Sequence, residues 1–89
     1  KYQQFKPYES DNSYEKARLQ RLLNRIPQAL EAINFAIKIN GTKGLYYYER
    51  AIIQQMSGNN AAAKQDLNEA KRLGFNSIDP GVGSKIMGG

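Results

Sequence analysis

The 89-residue chain contains no cysteine, no histidine and no tryptophan. Without cysteine it has neither a disulfide framework nor a thiolate metal site, and without histidine it lacks the commonest general base and metal ligand. No apolar run approaches the roughly 18 residues that a membrane-spanning helix needs. Apolar residues make up 40% of the chain, below the roughly 45–50% of an average domain. These absences favour a small soluble domain with a thin core, and they argue against an enzyme and against a bound cofactor.

Positive charge is the main compositional signal. Thirteen Lys and Arg residues against eight Asp and Glu residues give a net charge of +5 and an isoelectric point near 9.6. Such a balance favours an acidic partner, either a protein segment or a nucleic acid. The excess is spread along the chain, with +3 in residues 1–40 and +2 in residues 41–74. This spread makes nucleic acid the less favoured of the two partners.

Periodic apolar residues with their flanking cap residues predict four helices. Asn12, with Glu15 three residues later, fits a capping box before the first helix, and Asn59 can cap the fourth. Glycine adopts the left-handed conformation that often ends a helix, so three sites suit helix ends: Asn40-Gly41, Gly58 and Gly74. The helices are predicted near residues 14–24, 27–39, 43–57 and 60–73.

Both ends of the chain lack this period. Residues 1–9 carry Tyr2, Phe5 and Tyr8 at irregular spacing, and we interpret them as an N-terminal arm whose aromatic side chains lie on the domain or on a partner. Four glycines and one proline fall within residues 75–89. This composition predicts a flexible, glycine-rich tail over residues 76–89.

The middle of the chain repeats itself after 34 residues without a gap. A helix–turn–helix unit of this length is typical of stacked helical repeats. The period predicts two units, residues 10–43 and 44–75. The paired positions are Tyr14 and Tyr48, Lys16 and Arg50, Ala17 and Ala51, Gln20 and Gln54, Ala29 and Ala63, Ile33 and Leu67, Ala36 and Ala70, and Ile39 and Leu73. The paired alanines would let neighbouring helices approach closely.

The repeat resembles the tetratricopeptide repeat (TPR) family in both units. The motif residues are Tyr47-Tyr48-x-Arg50-Ala51, Gly58-Asn59 and Ala63-x-x-Asp66-Leu67-x-x-Ala70-x-x-Leu73 in the second unit, and Ala29-x-x-x-Ile33-x-x-Ala36-x-x-Ile39-Asn40 in the first. The resemblance implies an all-α stack of helix–turn–helix units, a short α-solenoid. It also implies a protein-binding adaptor, scaffold or assembly subunit, whose concave groove is lined by the first helix of each unit and holds a partner peptide or subunit.

The family alignment places six residues in this groove: Tyr14, Arg18, Arg21, Tyr48, Ile52 and Gln55. Arg18 and Arg21, with Arg25, share one face of the first helix. The planar guanidinium group suits bidentate contact with carboxylates. One interpretation is therefore a groove that binds an acidic segment or a C-terminal carboxylate. The other is a solvated helix face that keeps the domain soluble.

Two further features have structural interpretations. Arg50 and Asp66 are expected to form a salt bridge within the second unit, with a ligand contact as the alternative. The first unit has Lys16 and Ala32 at the matching positions, so the bridge cannot repeat there. In the run of three tyrosines, a helix points successive side chains about 100° apart. We expect Tyr47 in the core, Tyr48 in the groove and Tyr46 partly exposed.

The sequence thus leaves two functional classes open. The favoured one is a non-catalytic protein-interaction module that binds an acidic segment or a subunit of a larger complex. The alternative is a basic helical nucleic-acid-binding domain. The chain begins at Lys1 and shows no secretory signal pattern. Both a cytoplasmic location and that of a mature exported chain therefore stay open.

Overall fold

The structure, a computed structural model, describes residues 7–88 of the chain, with side chains described for residues 9–87. The described part contains helices and turns and no strand. Its elements are α1 (Pro7–Leu22), α2 (Ile26–Ile39), α3 (Gly44–Met56), α4 (Asn60–Arg72), a short α5 (Pro80–Gly83) and a π-helical turn (Ser84–Gly88). The predicted all-α helix–turn–helix architecture is confirmed. The bounds of α2, α3 and α4 lie within one residue of their predictions.

The helix ends show which local signals the chain uses. Three helices end at a residue with positive φ, followed by an N–H that donates to the carbonyl five residues earlier, as in a Schellman motif. These end residues are Asn24 (φ 61°), Gly58 (φ 89°) and Gly74 (φ 94°). The ends predicted at Gly58 and Gly74 are confirmed. So is the cap at Asn59, whose Oδ1 accepts from the Ala62 N–H at 3.3 Å.

The left-handed end predicted for α2 is wrong. Asn40 has φ −142°, which is an ordinary extended value, and Gly41 does not have a positive φ either. Its side chain forms a local turn instead, since Oδ1 accepts hydrogen bonds from the Thr42 hydroxyl at 2.7 Å and the Thr42 N–H at 3.3 Å. An Asn side chain that mimics a backbone turn in this way does not need positive φ.

The N-terminal end of α1 differs from the prediction. Helix α1 already includes Pro7, the first described residue, so residues 7–9 of the predicted arm are helical and no helix starts behind an Asn12 capping box. Contacts from Lys43, directly before α3, and from Tyr46 of α3 to Ser10 and Asp11 hold this part of α1 in place. Tyr2 and Phe5 lie outside the described residues.

The helices pack as two hairpins, α1 against α2 and α3 against α4, with α2 and α1 both against α3. The 34-residue register is visible in the burial, because four matched pairs of side chains are completely buried. They are Ala17 and Ala51, Ala29 and Ala63, Ile33 and Leu67, and Ala36 and Ala70. At Gly44 a Cβ atom would lie 2.8 Å from the Ala70 carbonyl oxygen and 2.7 Å from the Phe75 Cβ. The start of α3 therefore requires glycine for this close approach to the end of α4.

The core has two parts. The first lies among α1, α2 and the inner face of α3, and it contains Ala17, Ala29, Ala32, Ile33, Ala36, Tyr46 and Ile53. The second lies between α3, α4 and the C-terminal residues, and it contains Ala51, Ala63, Leu67 and Ile86. Each fully buried aliphatic side chain contributes about 1.5–3 kcal/mol by leaving water. Because Tyr46 and Ile53 belong to the first part, the second hairpin completes the core of the first.

The C-terminal residues pack on the second hairpin, which differs from the predicted tail over residues 76–89. Helix α5 and the π-helical turn together span residues 80–88, and the Ile86 side chain is only 2% exposed. Ile78 and Val82 contact the same core part. Asp79 caps α5 by accepting from the Val82 N–H at 3.2 Å. The apolar face of α4 needs a cover, and these residues supply it despite their glycine content.

Candidate functional site

The six groove residues predicted from the sequence lie on α1 and α3. These helices run in parallel, since Asp11 near the start of α1 pairs with Lys43 before α3, at 3.0 Å, and the end of α1 reaches the middle of α3. Matched positions of the two units therefore project toward the same side of the stack. The structure brings the six residues onto neighbouring helices, but it gives them different surroundings.

Arg21 joins the two hairpins. Its Nε donates to Glu49 Oε2 in a close ion pair, and its Nη2 donates to Glu49 Oε1 at 3.3 Å. The Glu49 side chain is 3% exposed and that of Arg21 is 18% exposed. A buried carboxylate requires such a partner, because removing its hydration is costly. The guanidinium group of Arg21 is thereby committed to the contact between α1 and α3.

Tyr14 also contributes to this contact. Its ring is half-buried and stacks on Tyr46, with centroids 5.5 Å apart and an angle of 24° between the planes. Burial raises the pKa of the Tyr14 hydroxyl. The Tyr46 hydroxyl donates its proton to Asp11 Oδ1, and its oxygen forms a second hydrogen bond with the Ser10 hydroxyl at 3.1 Å. The hydrogen bonds from Tyr46 and then Lys43 lower the pKa of Asp11.

The expected order of burial in the tyrosine run is wrong. Tyr46 is completely buried, whereas Tyr47 is only half-buried. The Tyr47 hydroxyl donates to the Gly41 carbonyl at 3.2 Å, and its ring lies 5.4 Å from the guanidinium carbon of Arg50. The inner face of α3 meets α1, and that is the face that carries Tyr46. Residue spacing alone does not show which face of a helix meets its neighbour.

The C-terminal residues cover Tyr48. Its ring lies against Phe75, with centroids 5.0 Å apart, and its hydroxyl accepts from the Asp79 N–H at 3.0 Å. Ile78 and Val82 contact the same core part as the Tyr48 ring. Tyr48 therefore serves to hold the C-terminal residues on the second hairpin.

Within residues 9–87, three of the six residues keep accessible surface free of such contacts. Arg18 is exposed, and its one ion pair, with Glu15 at 3.5 Å, joins two side chains that are each more than half exposed. Ile52 and Gln55 are half-buried. An exposed ion pair such as that of Arg18 with Glu15 contributes about 0–1 kcal/mol to stability. The guanidinium group of Arg18 can therefore exchange Glu15 for a carboxylate of a partner at little cost.

Two apolar residues that the sequence did not assign to the site adjoin it. Leu22 is 65% exposed and Met56 is 43% exposed. They follow Arg18 and Ile52 by four residues, so each lies one helical turn further on the same helix face. We name the surface formed by Arg18, Leu22, Ile52, Gln55 and Met56 the α1–α3 face. The 34-residue register that pairs Arg18 with Ile52 also pairs Leu22 with Met56, and this signal could have identified both.

The salt bridge expected within the second unit is confirmed. Arg50 donates from Nε to Asp66 Oδ2 at 2.7 Å and from Nη2 to Asp66 Oδ1 at 2.9 Å. Its Nη1 also donates to Asn34 Oδ1 of α2 at 2.9 Å. The bonds to Asp66 raise the pKa of Arg50 above its ordinary value. This bidentate pair ties α3 to α4, and Asn34 ties both to the first hairpin.

The first unit has a pocket where the second has this salt bridge. The pocket has a volume of about 540 Å³ and lies between α1 and α2. Lys16 and Ala32 occupy the positions of Arg50 and Asp66. The residues along its walls include Ser13, Lys16, Gln20, Gln28, Glu31 and Ala32. An alanine in place of the aspartate leaves space and removes the acceptor.

The structure supplies no metal centre or membrane span in the part that it describes. Among residues 7–88, acidic side chains do not gather in groups of three or more that could hold a metal ion. None of the helices described combines the length and the apolar character that crossing a bilayer requires. No known protein family, curated protein or solved structure matches the chain.

Proposed function

We propose that this protein is a non-catalytic protein-interaction module of the tetratricopeptide repeat type, acting as an adaptor or assembly subunit. The observation that carries the proposal is the α1–α3 face, which combines two exposed apolar side chains, Leu22 on α1 and Met56 on α3, with the exposed guanidinium group of Arg18 on two helices that contact each other. Exposed apolar groups beside an arginine are typical of surfaces that bind other proteins. The residues of the 34-residue repeat support the family assignment.

The expected partner is an extended or helical protein segment with both apolar and acidic side chains. Its apolar side chains would cover Leu22 and Met56, and a carboxylate would pair with Arg18. Tyr14, Arg21 and Tyr48 have structural roles, so we expect no direct contact between them and the partner. The binding surface is therefore smaller than the six residues that the sequence indicates.

Selection of short peptides on the immobilised protein tests the proposal, followed by affinity measurements on variants. Arg18→Glu and Leu22→Ser should each weaken the selected peptides about tenfold or more, the equivalent of about 1.4 kcal/mol. Lys64→Glu on α4 changes the net charge as Arg18→Glu does. Met87→Ser alters an exposed apolar side chain of the C-terminal turn, which packs on α4 and lies outside the α1–α3 face. Both control variants should bind normally.

Two outcomes would contradict this function. Equal losses for Arg18→Glu and Lys64→Glu would show that bulk charge alone governs binding. Tight binding of RNA or DNA that falls steeply with salt would favour the nucleic-acid alternative, because each phosphate contact releases counterions.

A further inference from the structure

The α1–α2 pocket of the first unit lacks the carboxylate that fills the matching place in the second unit. In the second unit, Asp66 is 6% exposed and accepts two hydrogen bonds from Arg50. With its amide oriented to suit its neighbours, Gln54 donates from Nε2 to Asp66 Oδ2 at 2.7 Å. A cation and an amide thus hold one carboxylate between the two helices.

The first unit keeps the cation and the amide but not the carboxylate. Lys16 and Gln20 stand 34 residues before Arg50 and Gln54, and Ala32 stands where Asp66 would. Gln20 Oε1 is buried and has no hydrogen-bond partner among the described residues. Lys16 forms no ion pair within residues 9–87. A buried amide oxygen without a donor is costly, and turning the amide would direct Nε2 to an incoming acceptor, as in Gln54.

We propose that this pocket binds an acidic side chain, Asp or Glu, of a partner protein. The partner's carboxylate takes the place that Asp66 fills in the second unit, accepts a charge-assisted hydrogen bond from Lys16 and accepts another from the Gln20 amide. The site lies between α1 and α2 and is separate from the α1–α3 face. The two proposals can therefore fail independently, because each is tested with different variants and a different probe. Glu31 also lines the pocket, and its charge opposes the incoming carboxylate.

The first experiment supplies the carboxylate within the chain. Ala32 is 8% exposed, and an unpaired carboxylate at so buried a position is strongly destabilising. If Lys16 and Gln20 receive it, Ala32→Asp should leave the melting temperature near that of the wild type. The same substitution combined with Lys16→Met should lower the melting temperature markedly, whereas Lys16→Met alone should not. Equal losses for Ala32→Asp with and without Lys16 would overturn the proposal.

The second experiment uses the full wild-type chain and a soluble probe, so it does not depend on how variants fold. The probe is aspartate blocked at both ends, N-acetyl-aspartate N-methylamide, and its asparagine analogue is the neutral control. Titration followed by NMR should shift the Gln20 side-chain amide with the acidic probe alone. Lys16→Gln should weaken the acidic probe about tenfold, the value of one charge-assisted hydrogen bond. Glu31→Gln should strengthen binding.

Three results of this titration would overturn the assignment, and a fourth comes from a comparison with acetate. The first three are shifts without saturation, equal shifts from the asparagine analogue, and unchanged affinity in Lys16→Gln. Acetate that binds as tightly as the blocked aspartate would also overturn it, because the pocket would then select free carboxylate rather than a side chain with its backbone. Tighter binding of the blocked aspartate than of acetate supports a polypeptide source.

Discussion

At the scale of single residues, the buried carboxylate of Glu49 determines that Arg21 has a structural role and does not contact a ligand. A carboxylate that is almost completely buried at the contact between α1 and α3 is stable there because Arg21 lies against it. The same guanidinium group on the exposed part of α1 would be available to a ligand, as that of Arg18 is. The two arginines stand three residues apart on one helix, so their different roles follow from the position of α3.

Replacing Arg21 should therefore be far more damaging than replacing Arg18. Arg21→Met leaves Glu49 buried without a cation and should lower the free energy of unfolding by about 3 kcal/mol. Arg18→Met should change it by less than about 0.5 kcal/mol, as exposed substitutions do. Urea unfolding measures both. Adding Glu49→Gln to Arg21→Met should restore part of the loss. Similar values for the two arginine variants would contradict the buried ion pair.

At the scale of elements, the C-terminal residues act as a cover for the second hairpin. The side chains of Ala63 and Leu67 on α4 are only partly covered by α3. Ile86 packs against them and completes this part of the core. The hydrogen bond from the Asp79 N–H to the Tyr48 hydroxyl fixes the approach of this segment. In the first hairpin, α3 covers the matching face. The C-terminal residues thus take the place of a further helix.

Truncating Ile86 tests this cover. Ile86→Ala should lower the free energy of unfolding by about 2–4 kcal/mol, because it removes buried methyl and methylene groups and leaves a cavity. The adjacent Met87 is 36% exposed, and Met87→Ala should cost well under about 1 kcal/mol. Thermal and urea unfolding of both variants provide the comparison. If the two substitutions had the same small effect, residues 80–88 would not pack on α3 and α4 in solution.

At the scale of the whole molecule, the two hairpins share their core. Tyr46 and Ile53 come from the second hairpin and are completely buried in the first core part. Neighbouring helices approach closely at alanines that are completely buried, so a larger side chain does not fit at these positions. A destabilising substitution in either hairpin should therefore lower the melting temperature of one common unfolding transition.

Overpacking an alanine in each hairpin should show this cooperativity. Ala36→Trp and Ala63→Trp insert a large ring at positions with no exposed surface, which typically costs about 1–3 kcal/mol or more. Each variant should lower the melting temperature of a single transition. Lys64→Trp, at an exposed neighbour of Ala63, should melt close to the wild type. Equal effects at all three positions would contradict the 34-residue register, and two separate transitions would contradict the shared core.

The sequence by itself determined the features that depend on short spacing along the chain. The 34-residue period gave the two hairpins and their buried alanines, because packing of helices requires small side chains at matched positions. Gly58, Gly74 and Asn59 marked helix ends through local backbone conformation and capping. The salt bridge between Arg50 and Asp66 was also predictable, since both residues belong to one hairpin.

Only the tertiary structure decided which helix faces meet between hairpins and at the chain ends. The pairing of Arg21 with Glu49 spans 28 residues, and the burial of Tyr46 rather than Tyr47 depends on the side from which α1 approaches α3. The cover of Tyr48 by the C-terminal residues depends on an apolar face of α4 that α3 leaves uncovered, and composition does not reveal that face. Periodicity fixes which residues share a face, whereas the neighbours that are present decide whether that face is core, interface or open surface.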